Sequence, residues 1–542
     1  MPRTIRLPEF ENEPGLDFSN TEIQKNLDAA LGKVRRSISG RYFPMLISGR
    51  EVSHDGKYIE RENPSDIKEI LGYTCAARKE DVDEAISIMK DSREVREWMM
   101  ASHEERAWYL KRAASTLRDR RYLFLALLML EAGKTRWEAD GEFCEAIDFL
   151  EYYAAYAPFL ARLNQATIIS PLRQKNSGVY SPVGIGVSIQ PWNFPLAISI
   201  GPTAAGLVMG NPMIYKPAEE TSITGYYLSK AFYDTGIPND VFHFMPGDGD
   251  EIGDYLVNHP AVRLIAFTGS KDVRRIIQNN VHNFNREVLP TLPPCDRHEK
   301  VIASAESGGK GAMIVDEDFD VQEAAQYVID SAFSFQGQKC SAGTRVIVVG
   351  AGLLSTPYVQ MGRLLYNAIM NIRIGSPEDP NNKMGPMISK EALKKVNEYK
   401  NLAHKTGRAI GGYLSEDMLG KGYFSTPMLV ENIAPESRIF QEEIFGPVLA
   451  LIEARDFDEA LHLANNSEFG LTGGVFTNND EHWQRAAHEF EVGNLYRNRK
   501  ISGSMVGQNP FGGYKMSGNS TKAGGWDYLL NFVNRKSICV KL

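Results

Sequence analysis

Cys340 lies in SFQGQKCSAGTR, among small and polar residues just after a stretch of helical periodicity. A thiol set there can be reached by a small molecule, and Lys339 beside it adds positive charge, which favours the nucleophilic thiolate. The other cysteines, at 75, 144, 295 and 539, have no CxxC spacing and no partner Cys/His cluster for zinc, and read as the small apolar residues most thiols are. Neither a disulfide framework nor a metal site is expected from five scattered thiols. A reducing compartment, the cytoplasm, fits that usage best.

Asn193 stands in PWNFP with a proline on each side, so its amide is a rigidly placed donor of the kind an oxyanion needs; the bland alternative is a turn-forming asparagine. Glu306 stands in ASAESGGKGA, where an apolar strand runs into a double glycine. A carboxylate partly buried there would have a raised pKa and could act as a general base, the alternative being a solvated residue beside a turn. FTGS at 267 to 270 ends an apolar strand and opens a helix with Ser270 as N-cap, so free N–H groups and the helix dipole would face an anion. Lys216 and Glu219 in YKPAEE follow the strand PMIY, where a ribose could exchange hydrogen bonds with them; alone they would be surface charges.

The elements that must position these residues are legible in the periodicity. Residues 79 to 163 read as three helical stretches, KEDVDEAISIMK, the run from His103 to Gly133, and Thr135 to Leu163, with Gly133 as a stop. Between 165 and 190, NSG and SPVG break short β-branched runs, which predicts a hairpin followed by a buried strand. Strands and helices then alternate: IGVSIQP, a helix near 196 to 208, PMIYKP, a helix near 222 to 235, VFHFMPG, a helix near 249 to 258, and VRLIAFTGS. That alternation implies a doubly wound parallel sheet with ligands at the carboxyl ends of its strands. A second series runs from AMIVD at 312 through a helix over 320 to 335, TRVIVV, a helix near 357 to 371, and VLALIEA. Two α/β units with a cleft between them follow. The stretch from Asn280 to Ala303, with Pro290, Pro293 and Pro294, reads as a connector.

Composition bounds the rest. The 542 residues amount to three or four domain lengths of about 150 each. With 43% apolar and 24% charged residues and a net charge of −8, the chain has an ordinary globular balance and no basic surplus for nucleic acid. Residues 176 to 215 carry no charge, but five prolines, Gln190 and Asn193 make a membrane-spanning helix implausible, so buried strands and turns are expected and no membrane partner. The N-terminal segment has early arginines and then acidic residues without an apolar core, and reads as part of the mature chain.

Taken in order, PWNFP, KPAE, FTGS, ESGGK, GQKCS, EEIFGPV and NPFGG resemble the aldehyde dehydrogenase superfamily over about residues 45 to 535. FQGQKCSA, GLTGGVF, GNLYRNRKISG and CEAIDFLEYY are most similar to its branch that oxidises L-glutamate γ-semialdehyde, the 1-pyrroline-5-carboxylate dehydrogenases of the second step of proline degradation. The resemblance implies an NAD-binding domain over 1–165 and 187–306, a catalytic domain over 307–500, and bridging elements at 166–186 and 515–542 that join at least two copies into a homo-oligomer. It implies Cys340 as nucleophile, Asn193 and the Cys340 backbone N–H as oxyanion donors, and Glu306 as the base that hydrolyses a thioester. Lys216 and Glu219 would hold the adenosine ribose, Ser270 the pyrophosphate, and Glu443 with Phe445 the nicotinamide riboside; Glu219 beside the ribose favours NAD over NADP.

For a substrate with an α-carboxylate and an α-ammonium, the same matching gives Ser341 and the backbone N–H groups of Gly503 and Ser504 to the carboxylate, Glu145 to the ammonium, and Phe194 and Phe511 to the aliphatic stem. Glu145 shares a stripe with Glu138, Glu142 and Asp148, whose bland reading is a solvated helix face. Two departures from the family pattern stand out. Ser504 replaces an alanine, adding a hydroxyl that could strengthen carboxylate binding or alter chain-length preference, and Arg274 replaces a glycine, either restricting the cofactor or lying on the helix surface. The alternatives are another semialdehyde or aliphatic aldehyde as substrate, a CoA-acylating relative, which would not need Glu306, and a catalytically silent nucleotide-binding protein.

Overall fold

A computed structural model describes residues 6–291, 301–350 and 354–542, and two seven-stranded sheets organise it. The first runs in the order Ile302–Ser307, Leu264–Gly269, Gly186–Ile189, Met213–Lys216, Phe242–Phe244, Met45–Ile47, Arg50–Val52. Its first five strands are parallel, and the last two add an antiparallel hairpin at the edge. Val187, Ile214, Phe242, Phe244, Leu264 and Ile265 are all fully buried, the continuous apolar habit of strands covered on both faces. The helix Ala197–Val208 crosses over between two of them and is itself buried nearly throughout. A Cβ at its Gly206 would meet the Met213 sulfur at 2.5 Å, so glycine sets how closely helix and sheet approach. Beyond the strand Gln174–Pro182 the uncharged stretch is therefore mostly buried strand and helix, and among the described residues no helix is long and apolar enough to cross a membrane.

The second sheet runs Arg408–Gly411, Met428–Glu431, Val448–Ala454, Gly343–Val349, Gly311–Val315, Thr472–Phe476, Asn494–Arg497. Every neighbouring pair is parallel except the first. The fold is thus the expected pair of doubly wound α/β units.

Several local expectations need correction. The three helical stretches are five helices: Lys79–Asp91, Arg93–Met100, His103–Asp119, Arg121–Glu131 and Arg136–Ala166. Ser92 and Ser102 cap the second and third, and the chain breaks at Arg120, where φ is −115° and ψ 19°; periodicity alone does not register such breaks. Gly133 does stop the helix before it, in the left-handed region at φ +69°. An amphipathic helix, Thr21–Ile38, was not anticipated; it buries Leu27, Leu31, Val34 and Ile38. The hairpin expected between 165 and 190 is not local, because Gln174–Pro182 pairs antiparallel with Val533–Lys541. NSG, taken as a turn, lies inside that strand, and a partner so distant leaves no trace in the nearby pattern. The helix Lys271–Asn283 and irregular helical turns extend through Thr291 into the supposed connector, whereas Pro293, Pro294 and Cys295 lie outside the described residues.

Candidate active site

Register brings the carboxyl ends of the first sheet's strands together, with Ile189 opposite both Lys216 and Phe267, and Thr268 opposite Glu306. The strand ends themselves carry Lys216 and Glu306, and the segments just beyond carry Asn193 and Ser270. Asn193 is buried, and its side-chain amide donates to the Gln338 carbonyl at 3.2 Å, two residues before Cys340. Cys340 follows the helix Val321–Phe333 through Phe335, Gln336 and Gly337, all in the left-handed region at φ +49°, +55° and +68°. Two non-glycine residues held there cost on the order of 1 kcal/mol or more each, so the surroundings must enforce the turn. Glu138 accepts the Phe335 N–H, and the Gln338 side-chain oxygen accepts from the Ile388 N–H at 3.0 Å.

The turn delivers Cys340 to a cavity of about 640 Å³ lined by Cys340, Glu306, Glu145, Ser341, Phe194, Phe511, Gly503 and Ser504. Every residue expected to hold the substrate thus lines one space with Cys340 and Glu306. Lys216, Glu219, Ser270, Glu443 and Phe445 do not line this cavity.

The resting state of the thiol corrects one expectation. Burial pushes Cys340 up to about 12, and the carboxylates of Glu443, Glu145 and Glu306 push the same way. Lys339 gives no compensation: its ammonium donates to the Ser334 hydroxyl at 3.1 Å, and burial lowers it to about 8. Cys340 is therefore a protonated thiol at rest.

At Glu306 the raised pKa expected of a partly buried carboxylate is present. Burial raises it to about 7, against the opposing pull of Ser520, which donates to one carboxylate oxygen at 2.9 Å, and of the Gly513 N–H at 3.1 Å on the other. Arg274 and Lys522 also hold it down. Arg274 is buried, with a guanidinium nitrogen 3.5 Å from the Ser307 hydroxyl, so it is no helix-surface residue.

The acidic stripe is not solvated. Glu142 accepts from the N–H groups of Leu196 and Ala197 at 2.7 and 3.2 Å, and Asp148 from Asn12 and the Glu13 N–H at 2.8 and 2.6 Å. Among the described residues Glu145 alone of the four makes no hydrogen bond, and burial followed by repulsion from Glu142 raises it to about 8. Gly503 adopts φ +79°, and the Ser504 hydroxyl pairs with the Tyr496 hydroxyl at 2.5 Å; where Tyr496 donates, the Ser504 proton stays available beside the backbone N–H groups.

The residues expected to hold the cofactor lie outside this cavity. Lys216 is buried, not a surface charge, and donates to Glu219 at 3.1 Å. Ser270 is exposed and caps the helix Lys271–Asn283 by accepting the Val273 N–H at 3.3 Å. Glu443 accepts the Gly309 N–H at 2.9 Å and presses so closely on Gly308 that a Cβ there would stand 1.7 Å from its oxygen. Phe445, at φ +58°, sets its ring edge-on to Trp192 with centroids 5.4 Å apart. An open helix N-terminus, a lysine–glutamate pair at the ribose position and a glycine-backed carboxylate are the donor set a dinucleotide needs, so the residues present fit NAD.

Sequence reasoning did not find Lys134, Glu13, Trp137 or Lys500, which also line the cavity. Lys134 directly follows the Gly133 stop, the one available hint; Glu13 comes from an N-terminal segment with no periodicity to read.

The Aldehyde dehydrogenase family model matches residues 52–538. The chain is 41% identical over 532 residues to 1-pyrroline-5-carboxylate dehydrogenase 2 of Bacillus subtilis (strain 168), covering 98% of both chains. Its structure superposes on 1-pyrroline-5-carboxylate dehydrogenase from Thermus with bound NAD at a TM-score of 0.91 and 38% identity, covering 99% of this chain and 100% of that one. Betaine aldehyde dehydrogenase of Staphylococcus aureus in complex with NAD+ is more distant, at a TM-score of 0.84 and 27% identity over 94% of this chain and 97% of that one. The motifs in their order, the paired α/β sheets and the cavity joining Cys340 to Glu306 are accounted for together: the chain belongs to the aldehyde dehydrogenase family.

Proposed function

We propose that the protein catalyses the NAD-dependent oxidation of L-glutamate γ-semialdehyde, the open form of 1-pyrroline-5-carboxylate, to L-glutamate, the second step of proline degradation. The observation that carries the substrate is Glu145, an unpaired carboxyl group in the same cavity as Cys340 and Glu306. An α-ammonium would pair with it, while the Gly503 and Ser504 N–H groups and Ser341 meet the α-carboxylate and Phe194 and Phe511 flank the stem. The likeness to proteins named for that substrate supports this reading.

The Cys340 sulfur, once deprotonated, attacks the aldehyde carbon. The oxygen that gains the charge is met by the Asn193 amide and the Cys340 backbone N–H, which makes no other hydrogen bond among the described residues. NAD, when bound, supplies the hydride acceptor; Lys216 and Glu219 would hold its adenosine ribose, Ser270 its pyrophosphate, and Glu443 with Phe445 its nicotinamide riboside. Glu306 takes a proton from water, which attacks the Cys340 thioester, releasing the carboxylate and restoring the thiol. We assign cofactor binding to residues 1–165 and 187–306 and catalysis to 307–500.

NADH formation with 1-pyrroline-5-carboxylate and with simple aliphatic aldehydes tests the substrate. Efficient turnover of the first is expected, and Glu145→Gln should raise its KM on the order of tenfold or more while sparing propanal, since a hydrogen bond between charged groups is worth about 1.5–3 kcal/mol. Preference for propanal by the parent enzyme would overturn the assignment. We further propose a cytoplasmic homo-oligomer joined through 166–186 and 515–542.

A further inference from the structure

The ammonium of Lys134 is enclosed. Lys134 is fully buried, its nitrogen 3.8 Å from the centre of the Phe194 ring and 4.1 Å from that of Phe335. It also lies 2.9 Å from Glu142, whose side chain is equally buried. The two atoms meet as an ion pair without the angle of a hydrogen bond, and no other polar partner reaches either among the described residues. Charge and two aromatic faces hold the cation.

The two rings belong to the two halves of the chemistry. Phe194 adjoins Asn193, on the loop that leaves the first sheet. Phe335 opens the left-handed turn that leads to Cys340, on the way into the second. Glu142 spends its other oxygen on the Leu196 and Ala197 N–H groups, which fixes the loop behind Phe194. Glu138, one turn earlier on the same helix, accepts the Phe335 N–H. Lys134 thus stands where the oxyanion loop and the nucleophile loop are held to one helix.

We propose that Lys134 is a positioning residue that keeps the Asn193 amide in register with Cys340, acting on the rate of thiohemiacetal formation and hydride loss through Asn193. This rests on Asn193 being an oxyanion donor. Removing one partner of a buried pair leaves the other charge uncompensated, so the informative variant neutralises both, Lys134→Met with Glu142→Gln. Its glutamine oxygen can still accept from Leu196 and Ala197, and a melting curve confirms that it folds.

Single-turnover NADH formation is the readout, in the parent and in an Asn193→Ala background. The pair of substitutions should slow the parent 10- to 100-fold, the order expected of a misplacement of about 1 Å. It should leave the KM for NAD within twofold, and slow the Asn193→Ala enzyme less than twofold. Lys134→Arg should restore part of the rate. Equal losses in both backgrounds, or no loss in the parent, would overturn the coupling while Asn193→Ala itself remains slow. If Asn193→Ala reacts as fast as the parent, the donor assignment itself is wrong and the coupling falls with it.

Discussion

Glu306 and Cys340 show how burial sets opposite tasks for two groups in one cavity. Burial lifts the Glu306 carboxyl to about 7, so the fraction ready to take a proton grows as pH rises through neutrality. Thioester hydrolysis, followed as steady-state turnover where deacylation limits, should rise about tenfold per pH unit below 7 and level off above. Arg274 and Lys522 oppose that lift, so Arg274→Ala should move the midpoint to higher pH; a midpoint that stays put would show that the guanidinium does not act on Glu306. For Cys340 burial works against reactivity, and Glu443 adds the largest charge effect. The rate of alkylation by iodoacetamide in the absence of NAD should therefore climb through pH 9 without a plateau, and Glu443→Gln should raise it at neutral pH. A plateau near pH 7 would mean that the thiolate is already formed at rest.

At the scale of elements, the helix Arg136–Ala166 is more than a support for Glu145. Its carboxylates hold the turn before Cys340 through Glu138, the loop after Asn193 through Glu142 and the N-terminal segment through Asp148. The double glycine after Glu306 works the same way, by what it leaves out. A Cβ at Gly308 would overlap the Glu443 carboxylate, and one at Gly309 would approach the Cys340 carbonyl to 2.7 Å. Gly308→Ala should displace Glu443 and weaken NAD binding on the order of tenfold, about 1.4 kcal/mol, with little change in the melting curve. Calorimetric titration showing unchanged affinity would remove Glu443 from the cofactor site.

The whole molecule adds the paired strands Gln174–Pro182 and Val533–Lys541, a two-stranded ribbon apart from both main sheets. Val179, Ile538 and Val540 on it are 41%, 39% and 49% exposed, more apolar surface than an isolated ribbon keeps in water. Truncation before Val533 should bring the native mass, measured by analytical ultracentrifugation, down to that of a single truncated chain, just below the 60.5 kDa of the full chain. An oligomer of unchanged size would exclude the ribbon as the interface.

The amino-acid sequence by itself determined the alternation of apolar strands and helices, and hence the sheets and the ends at which Asn193, Lys216, Ser270 and Glu306 emerge. These depend on local periodicity and on residues whose backbone demands are written in their neighbours, as in PWNFP and ESGGK. Tertiary structure alone decided the protonation of Cys340, the burial of the acidic stripe, the strand that pairs with Gln174–Pro182 and the enclosure of Lys134. Each of these turns on which distant groups are brought together and which lose their water. Lys339 adjoins Cys340 in the chain, yet its ammonium is turned to Ser334, and burial, with three carboxylates from remote segments, raises the thiol instead. Charge acts through space in a medium of low dielectric, so nearness in sequence counts for little once the fold has closed.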